Sequence, residues 1–167
     1  FAEVEKKNYL GVIVELDTPG GSLDATRAMT KAMMAAKFPV VVWVGPSGSR
    51  AGSAGAFITL AAHVASMAPG TNIGAAHPIQ ASGKDIKEES SEAERKVMND
   101  TVAFIESIAG AKGRNVEMAR SFVVSSLSIT SEEALENKVV DLLAKDTKEL
   151  MQKIHGRKVT VGEGVEI

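Results

Sequence analysis

Residues 45–62 read GPSGSRAGSAGAFITLAA and follow the apolar run Val40-Val41-Val42-Trp43-Val44. Such a run is the signal of a buried strand. A glycine-rich turn comes next, then a helix of small and apolar residues expected from Ser53 to about Ser66. That order sets Ser53 at the start of the helix. Helix N-termini concentrate unpaired amide donors and positive potential, which steady a developing negative charge. Several unrelated hydrolases expose a nucleophilic serine on a strand–turn–helix of this kind.

Working outward, Val12, Ile13, Val14 and Leu16 read as a second buried strand, ending at the turn Asp17-Thr18-Pro19-Gly20-Gly21. Ser22 is placed to cap a helix from Leu23 to about Ala36, with Leu23, Met29 and Met33 among its apolar positions. Short extended pieces are expected at 65–67 and 73–76. Residues 80–95, QASGKDIKEESSEAER, are polar and without periodicity, and are expected to form a mobile loop or lid. Lys96 then opens a helix reaching about Ala111, with Val97, Thr101, Phe104, Ile105 and Ile108 on one face. A helix over 116–123, a capped helix start at 128–133 and a strand over 139–143 follow, with a terminal strand or tail from Arg157. Strands alternating with helices predict an α/β domain with a mainly parallel sheet. A short helix is expected over 1–7, and the abrupt opening at Phe1 suggests a piece of a longer protein.

The 167 residues suit one domain with a sizeable core. A net charge of −2 and 4% aromatic residues offer neither a basic stripe nor stacking platforms, so no nucleic-acid partner is expected. Cysteine is absent, which removes thiol catalysis, thiolate metal sites and disulfides. No run approaches the length of a membrane-spanning helix. Neither glycine turn has the phosphate-binding spacing of a P-loop or a dinucleotide fold.

A serine nucleophile needs an oxyanion site and a base. Gly20 and Gly21 let the backbone approach a substrate closely, and the amide of Ala54 is a natural second donor. Taken alone, Pro-Gly-Gly is an ordinary turn. Of the three histidines, His63 is expected ten residues along the helix from Ser53, about 15 Å away and out of reach. His155 reads as a surface residue. His77, in GAAHPI, is a candidate general base. Lys96 is another, because lysine serves as a base when its amine is desolvated and neutral, although most lysines at such positions are simply solvated.

The motifs LDTPGGS (16–22), SRAGSAGAF (49–57) and MAPGTNIGAAHP (67–78) resemble the N-terminal protease domain of the NfeD family. These are ClpP/crotonase-like membrane serine proteases related to signal peptide peptidase A. The resemblance continues through 99–115 and 127–144. It implies a single ClpP-like α/β domain over residues 1–167, lacking the fold's first strand. It implies Ser53 as nucleophile, Lys96 as general base and the amides of Gly21 and Ala54 as oxyanion hole, with no metal or cofactor. The more distant Clp pattern puts a histidine close to His77. That pattern also carries an orienting aspartate where this chain has Ser125 and Ser126, and a histidine without its acid loses tautomer control. The resemblance therefore favours Lys96 over His77. It further implies hydrophobic peptide or stomatin-like protein substrates and a homodimer or larger homo-oligomer. Membrane attachment would come through segments outside this chain, with the domain extracytoplasmic. A crotonase-type acyl-CoA enzyme and a non-catalytic assembly domain are the alternatives. One departure is Lys138, which stands where the family often has glycine.

Overall fold

The computed structural model describes residues 1–7, 9–78 and 92–166. Four strands, β1 (Val12–Leu16), β2 (Val40–Val44), β4 (Val64–Met67) and β7 (Leu142–Leu143), form one sheet in the order β1-β2-β4-β7. Every pair is parallel, with Val12 opposite Val40 and Val42 opposite Ala65. β2 and β4 are buried along their whole lengths, as the continuous apolar runs require.

A second, three-stranded sheet contains β3 (Arg50–Gly52), β5 (Asn72–Gly74) and β6 (Ser128–Thr130). β3 runs parallel to β5, and β6 antiparallel to it. The helices are α1 (Ala2–Lys6), α2 (Leu23–Met34), α3 (Ala54–Ala61), α4 (Glu92–Ala111), α5 (Val116–Val124), α6 (Ser131–Glu136) and α7 (Thr147–Ile154). A short hairpin of β8 (Thr160–Val161) and β9 (Val165–Glu166) ends the described chain. The core joins β2, β4 and α3 to the inner faces of α4 and α5, with Phe122, Leu60, Ile105 and Ile108 fully buried.

Several local expectations need correction. α3 stops at Ala61, so His63 lies just before β4 instead of within a helix. α4 begins at Glu92, so the stretch 92–95 is helical and Lys96 lies in the second turn. The remainder of the expected loop, 80–91, lies outside the described residues. The inner face of α2 is Thr26, Thr30 and Met33, whereas Met29 is exposed. The threonines tolerate burial because each hydroxyl donates back to a carbonyl one turn earlier. Val97 is likewise exposed, and Val102 and Ala109 take its place inside. The late strand shrinks to Leu142–Leu143, and α7, β3 and β6 were not anticipated. Lys138 has φ +57°, the left-handed turn that glycine adopts freely, so a lysine there costs about 1–2 kcal/mol.

Candidate active site

The two glycine turns meet at the carboxyl ends of β1 and β2, where open parallel sheets bind ligands. The chain leaving β1 is tied to β3. The Thr18 amide donates to the Arg50 carbonyl (2.8 Å), the Gly52 amide to the Thr18 carbonyl (3.0 Å) and the Arg50 amide to the Asp17 carboxylate (3.0 Å). Within the turn, the Thr18 hydroxyl accepts from the Gly20 amide and donates to the Gly20 carbonyl. Ser22 caps α2 as expected, accepting from the Ala25 amide.

These ties press Gly20-Gly21 against Ser53-Ala54. A Cβ at Gly20 would stand 3.0 Å from Ser53 Cβ and 3.5 Å from its Oγ, and one at Gly21 would stand 3.5 Å from Ala54 Cβ. The close approach is what the missing side chains permit. Ala54 is the first residue of α3, so its amide has no partner in the helix's own ladder.

Ser53 holds φ +49° and ψ −110°, a conformation rare for a side-chain-bearing residue. Its amide donates to the Gly74 carbonyl (2.9 Å), and its hydroxyl makes no capping bond to α3. A serine at a helix start normally caps it. Here the strained turn carries the hydroxyl away from that duty, and such strain persists where the surroundings enforce it.

His77 lies three residues beyond Gly74, within about 10 Å of chain reach from the residue that holds Ser53. Its Nδ1 is 2.9 Å from the Val123 carbonyl of α5. A carbonyl only accepts, so Nδ1 carries a proton in this contact. The Val123 carbonyl is an uncharged partner, which stabilises an imidazolium less than a carboxylate would.

Lys96 is 75% exposed and its amine pairs with Glu92 at 2.8 Å. The desolvated setting expected of a base is not found around it here. Its position on α4 is nonetheless informative. Residues 96, 100 and 104 share one stripe of the helix. Phe104 stacks on Phe57 of α3 (5.2 Å between centroids) and lies under the Arg27 guanidinium of α2, and Asp100 pairs with Arg27. The stripe bearing Lys96 therefore faces α2 and α3. Lys112, just past the end of α4, and Met34, at the end of α2, share a cavity with His63 at the opposite rim of the sheet. α4 therefore starts at the pole where α2 and α3 start, the pole of Gly21 and Ser53.

His63 belongs to that far rim, where its Nδ1 accepts from the Val40 amide (3.1 Å). It has no access to Ser53, for a topological reason and not the helical one expected. His155 is exposed, as expected. Burial, aided by Lys112 and Arg114, pushes the His63 pKa from 6.5 down to about 4. The native state thus refuses a proton that the unfolded chain accepts below pH 6.5. The His63 contribution is whole above pH 6.5 and is lost as pH falls towards 4. Because the ring is half-buried and solvent screens it, the loss is about 1–2 kcal/mol. Urea unfolding at pH 7 and 4.5 should show that increment, and His63→Asn, which keeps an acceptor for Val40, should lack it. An equal loss in the variant would place its origin elsewhere.

This architecture is that of the ClpP-like α/β proteins. The chain matches ClpP1 from Listeria monocytogenes with a TM-score of 0.66 at 17% identity, over 87% of this chain and 79% of that one. More narrowly, residues 1–157 match the NfeD1b N-terminal domain, and the chain belongs to that family. The membrane-bound protease PH1510 of Pyrococcus horikoshii is 41% identical over 157 residues, 94% of this chain and 35% of that protein. The chain thus spans about a third of that relative's length. A solved lysine-to-alanine mutant of the 1510-N membrane-bound stomatin-specific protease, in complex with a substrate peptide, superposes with a TM-score of 0.88. It has 38% identity, over 99% of this chain and 75% of that one. A serine-to-alanine mutant of the 1510-N protease gives 0.87 at 38% identity, over 98% and 80%. Among the described residues, no helix is long and apolar enough to cross a membrane.

Proposed function

We propose that this domain is a serine endopeptidase that cleaves apolar peptide segments with a Ser53–Lys96 dyad. The observation that carries the reading is the strained Ser53, its hydroxyl released from capping, pressed against Gly20-Gly21. Ser53 Oγ attacks the scissile carbonyl while neutral Lys96 takes its proton. The amides of Gly21 and Ala54 hold the oxyanion, where each donor is worth roughly 3 kcal/mol. Lys96 then protonates the leaving amine and afterwards draws a proton from the deacylating water, regenerating Ser53. In the unliganded state the Lys96 amine rests in its exposed pair with Glu92. A peptide covering the site removes water and favours transfer of that amine to Ser53; catalytic contacts often tighten only in the complex.

The relatives support the substrate class. A protease 38% identical to this chain binds a substrate peptide and is named for stomatin. In the two mutant structures the altered serine precedes the altered lysine by nearly the separation of Ser53 and Lys96. We extend to this chain a stomatin-like membrane protein as target, action outside the cytoplasm, self-assembly, and membrane attachment through segments elsewhere in its protein. Single-domain organisation over 1–167 belongs to the same reading. Covalent labelling of Ser53 by an apolar peptide phosphonate tests the proposal. A crotonase-type acyl-CoA enzyme finds no specific support in the site, and a scaffold would leave the strain at Ser53 without a use.

A further inference from the structure

The rim of the sheet opposite Ser53 gathers several cationic side chains around one carboxylate among the described residues. His63, Lys112, Asp141 and Arg157 line a polar cavity there of about 490 Å³, closed on one side by the β8–β9 hairpin. Asp141 is the carboxylate among the described lining residues, and it is already engaged. Oδ2 accepts from Arg114 (2.8 Å) and from the Ala65 amide (2.7 Å), and Oδ1 from Arg157 (3.2 Å). Lys112 is half-buried, has no described carboxylate partner, and is held below its usual pKa by burial and by Arg114. Lys112, Arg114 and Arg157 thus gather around Asp141, and Lys158 lines the same cavity. The carbonyl end of α4 beside Lys112 offsets only about half a charge.

Hydrogen-bond acceptors are short at the same corner. His63 Nδ1 accepts from Val40, so the ring proton sits on Nε2, and that buried N–H has no acceptor. Arg114 Nε is buried without one too. Native structures leave few such donors unanswered.

We propose that this cavity binds a phosphate group, with Lys112 and Arg157 as its charge partners. The half-buried Lys112, the neighbouring Arg157 and the unanswered His63 N–H favour an anion with several acceptor oxygens, as a phosphate monoester has near neutral pH. Lys112 comes from the end of α4 and Arg157 from the segment before β8, so the two line the cavity from different elements.

Calorimetric titration of the protein with inorganic phosphate, at ionic strength held constant with chloride, should give saturable binding. It should be accompanied by a rise in Tm. Lys112→Met should weaken binding at least tenfold, whereas Lys148→Met on exposed α7 should not change it. Arg157→Met supplies the same test should Lys112→Met fail to fold. Phosphatidylcholine vesicles with and without phosphatidic acid form the second arm. Lys112-dependent binding to the acidic vesicles would make a lipid headgroup the source, and binding of inorganic phosphate alone would make it a free phosphate. Absence of binding in both arms, or binding equal in the Lys112 and Lys148 variants, would overturn the proposal.

Discussion

Lys96→Ala should lower kcat/KM for an apolar peptide by about 10³-fold or more, while His77→Ala should stay within a few-fold of the parent. General acid–base groups contribute roughly 10²–10⁴-fold, and a base that also serves deacylation acts twice in each turnover. Both side chains are near the right pole of the molecule, so position alone does not separate them. Their partners do. His77 Nδ1 is held against the Val123 carbonyl, which stabilises an imidazolium less than a carboxylate would. Lys96 lies on the stripe of α4 that faces α2 and α3, and its only described tie is an exposed pair with Glu92. Such pairs are worth 0–1 kcal/mol, so leaving it is cheap. Glu92→Gln should therefore preserve activity. Initial rates of the three variants on one peptide provide the check, with Tm confirming that each is folded.

Gly74→Ala should be the most damaging single-methyl change in the described chain. Gly74 sits at φ +131°, which side-chain-bearing residues rarely adopt. A Cβ there would stand 2.2 Å from the Leu127 carbonyl oxygen and 2.9 Å from Ser128 Cα. Neither atom can step aside, because the Leu127 carbonyl also accepts from the Ala75 amide and Ser128 pairs with Gly74 across the ladder. Backbone strain and overpacking each cost about 1–3 kcal/mol, so a combined loss near 3 kcal/mol is expected, lowering Tm by on the order of 10 °C. The Gly74 carbonyl also holds the Ser53 amide, so activity should fall beyond what unfolding explains. Gly110→Ala is the matched comparison. Its Cβ would meet only Val116 Cγ2 at 3.8 Å, in mid-helix, and the change should be neutral or stabilising. Thermal unfolding of the pair decides the matter.

What could be read from the sequence followed the strength of its local signals. β2 was legible because its apolar run is uninterrupted, and the helix starts at Ser22 and Thr130 because capping is chemistry within one turn. β1 was expected to be buried throughout, but at the sheet edge it alternates, leaving Ile13 and Glu15 exposed. The meeting of Gly20-Gly21 with Ser53-Ala54 was anticipated only as a possibility. It depends on pairing between segments some thirty residues apart, made by Thr18, Arg50 and Gly52 in a strand too short to show periodicity. The face of α2 was misjudged because buried threonines hide their polarity in back-bonds that hydropathy does not see. The helix start at Glu92 was missed because its first turn is charged and exposed, and resembles the polar stretch before it. α7 escaped notice for a similar reason, since Leu150 is its one buried side chain. The strain at Ser53 left no mark on the sequence, because serine is common at helix starts in an unstrained form.

Mass spectrometry of the protein after reaction with an apolar peptide phosphonate tests the central claim most directly. Expected is a single adduct on the peptide carrying Ser53, absent from Ser53→Ala and formed far more slowly by Lys96→Ala. Quantitative failure to label Ser53 by a phosphonate on a peptide that the same preparation cleaves, or an adduct on another serine, would contradict it.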